Sequence, residues 1–354
     1  MLILVLNCGS SSVKYQLYQM PKEVCLAKGM VDELGQTQTI KALVKTILEN
    51  KELLGCSAGE IAAVGHRLVH GGEEFKQSVL INRTVIKAIK RYSKLAPLHN
   101  PPNLAGIYAA QSLLPKLPQI AVFDTAFYQS MPACAYLYGL PYEVYQKYGI
   151  RRYGFHGMSH RYVSQQAAKI LGQPLKKLKI ITCHLGNGCS ITAVDRGRAI
   201  DTSMGFTPLE GLVMGTRSGD VDPAAVLFLM KKMKLSIART GELLNKASGL
   251  LGLSGKSSDF RDIEAAARSQ DKRAKLALAV FIYRIKKYIG AYIAALNGCD
   301  ALVLTGGIGE NSTYIRKKIT QGLSALLTKF KTRILVIPTN EELVIARDTY
   351  ENTR

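Results

Sequence analysis

The chain has 354 residues, 47% of them hydrophobic and 21% charged, a composition that excludes a disordered or fibrous protein. It also exceeds the ~250–300 residues at which one core stops growing, so two domains are expected. A formal net charge of +21 asks for an anionic partner, either a nucleic acid or small polyanionic substrates. Seven cysteines without a Cys-x-x-Cys pair give neither a disulfide framework nor a zinc site. The apolar run Leu2–Leu6 lacks a preceding basic region and no later run reaches membrane length, so a reduced, cytoplasmic protein with no membrane partner is expected.

The first predicted element is a strand, a turn and a second strand in "LILVLNCGSSSVKYQLY". Its tip presents Asn7, Ser10 and Ser12, with Lys14 in the return strand. Backbone N–H groups in a Gly-rich turn make an anion nest. The Walker pattern occurs nowhere in the chain, and a strand rather than a helix follows this turn. A phosphate grip and a solvated hairpin turn both fit these residues. All six histidines lie between His66 and His184, in "GHRLVHGGEEF", "APLHNPPN", "YGFHGMSH" and "CHLGNG". They read as residues of Gly- and Pro-punctuated turns. No His-Glu-x-x-His spacing supports a metal site, so as a group they point to chemistry on an anion. The basic clusters "KAIKRYSK", "LKKLK", "KKMK", "RIKK" and "IRKK" fall mostly on predicted helices, without a nucleic-acid motif. They read as solvated faces, and no nucleic-acid partner is expected.

"ITCHLGNGCSITAV" repeats the design of the opening hairpin: Asn7 aligns with His184 and Gly9 with Gly186. Two such units predict two similar α/β domains across a cleft. Arg67 in "GHRLVHGG" and Arg217 in "GTRSGD" carry planar forks that suit carboxylate or phosphate, or a surface ion pair. A helix is predicted from about Asp271 to Asn297, with Leu278, Ile282, Ile285, Ile289, Tyr292, Ile293 and Leu296 on its core face and Gly298 placed to end it. The buried strand in "DALVLTGGIGEN" then exits through Gly306, Gly307 and Gly309, the kind of strand end where α/β proteins bind ligands.

Ten ordered segments resemble the acetate kinase family over nearly the whole chain: "NCGSSSVKYQL", "GHRLVHGGEEF", "LAPLHNPPN", "VFDTAF", "RRYGFHGMSH", "HLGNGCSI", "DTSMGFTPLEGLVMGTRSGDVDP", "SGLLGLSGKSSDFRDI", "TGGIGEN" and "VIPTNEELVIARDT". The resemblance implies an α/β fold of two duplicated actin-like (ribonuclease H-like) domains facing each other across a nucleotide cleft. The first would span 1–126 plus 343–354, and the second 127–342, carrying the nucleotide site. It implies reversible, Mg²⁺-dependent, direct in-line transfer of the ATP γ-phosphoryl group to acetate, giving acetyl phosphate and ADP, with Mn²⁺ as a possible substitute. By the same resemblance Arg67, Asp124, His156 and Arg217 are catalytic, His156 and Arg217 stabilise the transition state, and Asn7 and Glu341 join Asp124 around the metal. Val69, Leu98, His99, Phe155 and Pro208, with Arg67, would bind acetate. Lys14, Ser10, Ser12, His184, Leu185, Gly186, Asn187, Gly188, Asp259, Phe260, Arg261, Gly306, Gly307, Ile308, Gly309 and Asn311 would bind ATP. A homodimer is also implied.

The chain departs from the family by being shorter between Met20 and Ile61 and between Asn311 and Val336. Tyr128 stands where the family has His, and Met158 where it has Thr. Three alternatives remain open at this level: a propionate- or butyrate-preferring kinase, a non-enzymatic actin-like relative, and a nucleic-acid-binding protein.

Overall fold

Two apolar runs that begin near the surface and end in a polar residue seed two sheets. The computed structural model describes residues 1–9, 12–32, 39–97 and 99–354. In the first sheet β1 (Leu2–Cys8), β2 (Ser12–Gln19) and β3 (Val24–Asp32) form an antiparallel meander, followed by β4 (Ile61–Leu68), β5 (Val79–Leu80) and β6 (Gln119–Phe123), in the order β3-β2-β1-β4-β6-β5. The second contains β7 (Lys179–Leu185), β8 (Cys189–Asp195), β9 (Arg198–Thr202), β10 (Ala301–Thr305) and β11 (Arg333–Val336), in the order β11-β10-β7-β8-β9.

Without β5 the two sheets have one plan. β1 and β7 each pair antiparallel with the strand that follows, and parallel with the strand on the other side. A further parallel strand then completes each sheet. This is the duplicated actin-like α/β topology, and the hairpin echo in the sequence marks its two starting points. The parallel strands β6 and β10 are buried along their full length, as sheets covered on both faces require.

The chain falls into two compact units, Met1–Gln129 with Asn340–Arg354, and Ser130–Thr339. In the first, Leu4, Leu6, Val13 and Leu17 pack with Leu43, Val44 and Ile47. The helix Glu341–Glu351 lies against β4, where a Cβ on Gly65 would come within 2.6 Å of Ile345 Cγ2. In the second, the helix Lys272–Leu296 buries the apolar face that its periodicity predicts. Asp271 caps its start by accepting the Ala274 N–H at 2.8 Å. The left-handed stop is Asn297, one residue before Gly298.

The reading of the histidines as turn residues needs correction. His66 lies within β4, His184 within β7 and His160 inside the helix Gly157–Leu171. Glycines beside them in the sequence serve close packing of strand and helix, which local punctuation does not distinguish from a turn. Among the described residues no helix is long and apolar enough to cross a membrane.

Candidate active site

In the first unit the polar end of β4 meets the first turn of the Glu341–Glu351 helix. Arg67 donates through Nη2 to Asp124 Oδ2 at 2.9 Å, and the same nitrogen lies 3.8 Å from Glu341 Oε2. Asp124 follows β6 directly, so neighbouring parallel strands set this pair. Burial pushes the Asp124 carboxyl up to about 6, with Arg67 opposing and Glu341 reinforcing the shift. Burial also raises Glu342. Asp124 Oδ1 and Arg67 Nε are buried without a hydrogen-bond partner. An orphaned carboxylate oxygen beside a second carboxylate suits a hard divalent cation that completes its shell with water and phosphate oxygens. Among the described residues no cluster of three or more His, Cys, Asp and Glu side chains could hold a metal alone. Asn7 and Lys14 face each other across the β1–β2 register, and Lys14 acts electrostatically on Glu342.

The segment after β4 is clasped by the helix Asn100–Leu113. The Val69 N–H donates to Asn103 Oδ1 at 3.3 Å, and Asn103 Nδ2 donates to Cys8 O at 2.7 Å. Asn100 holds both the N–H and the C=O of His70. Sequence reasoning took His99 from "APLHNPPN" and passed over these two asparagines; a polar residue buried on a helix face was the available signal. Val69 is buried and His99, which precedes the helix, is half-buried. Ser12 opens β2. Ser10 and Leu98 lie outside the described residues.

In the second unit His156 and Arg217 come together at the tip of the β7–β8 hairpin. A carbon built on Gly188 would lie 3.5 Å from both His156 Nε2 and Arg217 Nη2. His156 adopts φ 58°, a left-handed conformation that a non-glycine residue keeps only where its surroundings enforce it. Its ring stacks on His184 with centroids 4.3 Å apart. Arg217 donates through Nη1 to Pro208 O at 2.8 Å, and no carboxylate pairs with it among the described residues. Burial lowers its pKa, as expected for a cation withdrawn from water and left unpaired. Phe155 is buried next to His156 in the chain, and the family departures Tyr128 and Met158 are also buried.

Beside this hairpin lies a groove of about 660 Å³. Gly186, Asn187, Asp259, Phe260, Arg261, Gly307, Ile308 and Asn311, all among the residues expected to bind ATP, line it together with Gly215, Leu250, Ser258, Glu264 and Ser312, which the sequence does not single out. A Cβ on Gly215 would fall 1.8 Å from Asn187 Oδ1 and 3.0 Å from Ser258 O, so a side chain there would displace the Asn187 amide from the groove. Asp259 caps the helix Phe260–Arg268 and pairs with Arg261, which holds its carboxyl down to about 2. Leu185 points into the core, and Gly306 and Gly309 let backbone pack closely on β7 and β10 rather than lining the groove. Glu310 Oε1 secures this turn by accepting the Gly306 N–H at 2.8 Å.

The model of the acetokinase family matches residues 2–53 and 34–347. The chain belongs to the acetokinase family. It is 52% identical to an acetate kinase of Carboxydothermus hydrogenoformans over 394 aligned positions, covering 99% of each chain. The alignment is longer than this 354-residue chain, in keeping with the trimmed segments. It superposes on the crystal structure of an acetate kinase of Porphyromonas gingivalis with a TM-score of 0.94, 46% identity and full coverage of both chains. A propionate kinase of Francisella tularensis gives a TM-score of 0.92 at 44% identity, covering 99% of both.

Proposed function

We propose that the chain is an acetate kinase, transferring the γ-phosphoryl group of ATP reversibly to acetate. The observation that carries this reading within the molecule is the half-buried Arg217 guanidinium, with no carboxylate partner among the described residues, beside His156 at a glycine hairpin tip. Acetate is ionised at neutral pH, so the reaction needs no base to make its nucleophile. What it must overcome is repulsion between a carboxylate and a triphosphate, and fixed cations and N–H donors answer that need.

In this reading Arg217 and Arg67 hold the acetate carboxylate and the phosphoryl oxygens, and His156 donates through Nε2 to the group in flight. Asn7, Ser10, Ser12 and Lys14 of the first hairpin, and His184, Asn187 and Gly188 of the second, are assigned to the phosphates on the strength of the family resemblance. The groove beside Phe260 and Ile308 takes the adenosine. We assign Val69, Leu98, His99, Phe155 and Pro208 to the acetate methyl on the strength of the family resemblance alone. Asp124 and Glu341, with Asn7, fit Mg²⁺, whose chemistry when bound is to offset charge on the phosphate oxygens. We also place the protein in the cytoplasm as a homodimer. The Francisella propionate kinase makes a slightly longer acid the second reading. A hydroxamate assay of the purified protein with ATP, Mg²⁺ and acetate tests both. Acyl phosphate should form with acetate in preference to propionate and vanish in excess EDTA; its absence with acetate would sink the proposal, and formation from propionate alone would favour the second reading.

A further inference from the structure

Behind His156 runs a chain of buried polar side chains drawn from three elements. His156 Nδ1 lies 2.9 Å from Ser190 Oγ on β8. Ser190 Oγ lies 2.7 Å from Nε2 of His160, in the Gly157–Leu171 helix. His160 Nδ1 lies 2.6 Å from Thr182 Oγ1 on β7, and that hydroxyl has one further contact, the Thr192 carbonyl at 3.5 Å. Thr182, Ser190 and His160 are fully buried.

A serine hydroxyl carries one proton. Ser190 can therefore donate to only one of its two ring nitrogens, and the other ring must bring its own N–H. The protonation of His156 and His160 is coupled through that oxygen. Burial pushes the pKa of His160 well below its ordinary value, so it is neutral and carries one ring proton. With that proton on Nδ1, the Thr182 hydroxyl is left to a 3.5 Å contact, at the edge of hydrogen bonding. With it on Nε2, Thr182 donates to His160, His160 donates to Ser190, and Ser190 donates to His156 Nδ1. Every proton of the chain then sits on a contact of 2.9 Å or shorter.

We propose that Ser190, His160 and Thr182 are positioning residues that hold the ring proton of a neutral His156 on Nε2, the edge beside Gly188 and Arg217, so that it meets the phosphoryl group as an N–H donor. This rests on the reading of His156 as a phosphoryl donor. The opposite tautomer would turn a lone pair toward phosphoryl oxygens. The alternative of an imidazolium would set a further cation against the Arg217 guanidinium and the stacked His184 ring.

Histidine-selective ¹⁵N NMR of the full chain without substrates reads the tautomer directly, with the His156 signals assigned by their loss in His156→Gln. Wild type should show a protonated, pyrrole-type Nε2 and a bare, pyridine-type Nδ1. In Ser190→Ala, and independently in the near-isosteric Thr182→Val, the other tautomer should appear. Turnover should then fall about tenfold, less than loss of a whole transition-state donor, with KM for ATP and acetate within about twofold. In a His156→Ala background Ser190→Ala should cost nothing more. A protonated Nδ1 in wild type, or an equal loss from Ser190→Ala with and without His156, overturns the proposal. The expected tautomer with full turnover in His156→Ala would overturn the phosphoryl role and leave the proton arrangement standing.

Discussion

Arg67 and Arg217 show what a residue type discloses and what it withholds. Both stand out in the sequence because a guanidinium beside glycines reads as a clamp for an anion, although Arg67 lies within β4 rather than in a turn. Their surroundings do not: Arg67 already shares a carboxylate and Arg217 has none among the described residues, a difference set by strand neighbours far apart in sequence. Arg217→Ala should therefore lose on the order of 10²–10³ in turnover, the scale of one deleted transition-state charge donor. Arg217→Lys should recover little of it, because the fork is lost. Arg67→Ala should lose as much and also melt at a lower temperature, since it leaves the buried Asp124 carboxylate without its counter-ion. Turnover within tenfold of wild type in both alanine variants would remove the arginines from the chemistry.

Elements were read unevenly, and the reason lies in what periodicity can carry. The hairpins β1–β2 and β7–β8 and the long helix were legible because each repeats a local pattern. The stretch after β9, which carries both Pro208 and Arg217 and forms no regular element up to Asp220, was not. Its order comes from half-buried side chains that reach it from elsewhere. Arg152 Nη2 donates to Glu210 Oε1 at 2.5 Å, and its Nη1 donates to the Thr202 and Ser203 carbonyls at 2.8 and 3.1 Å. The Tyr138 hydroxyl donates to Glu210 Oε2 and accepts the Phe206 N–H at 2.8 Å. Tyr288 donates to Asp220 Oδ2 at 2.8 Å at the far end. Removing one partner of such a pair strands a mostly buried charge, at a cost of about 3 kcal/mol. Glu210→Ala should accordingly lower both the melting temperature and turnover, although Glu210 touches no substrate in the proposed site. Differential scanning calorimetry and steady-state kinetics on one preparation check this. An unchanged melting temperature would mean the stretch is held by its backbone alone.

At the scale of the whole molecule, three buried histidines make the fold sensitive to acid. Burial lowers the pKa of His66 to about 4 and of His70 to about 3, and puts His160 well below its ordinary value. The unfolded chain takes up these protons near pH 6.5, whereas the folded chain resists them. Their stabilising effect is thus present above pH 6.5 and lost as pH falls toward 4. His66 and His70 each cost about 2 kcal/mol by pH 5, and His160 acts in the same direction. Asp124, with its pKa raised to about 6, works in the opposite direction, because its protonation favours the folded state. Burial raises the Glu342 and Asp201 carboxyls as well, in the same sense as Asp124. The three histidines, each charged in the unfolded chain by pH 5, outweigh these carboxyls, so the thermal midpoint should drop between pH 7 and 5, and a flat profile would show that the histidines accept protons without unfolding. The duplicated topology was visible in the sequence as an echo of two turns, while the added β5 carries no echo and emerged only from strand pairing.

The first unit is closed by the last part of the chain. Gly65 and its neighbours on β4 stay uncovered until residues 341–351 arrive, while Ser130–Thr339 is a continuous stretch with its own sheet and core. During synthesis from the N-terminus, the part made second is therefore free to fold first, and the part made first must wait. That reverses the usual order in which domains mature on the ribosome. Ribosome-stalled chains with residues up to 339 exposed should already protect the second unit from protease while leaving 1–129 susceptible. Release of the remaining residues should then protect both together, and early protection of 1–129 would show that the terminal helix is dispensable for closing the first sheet.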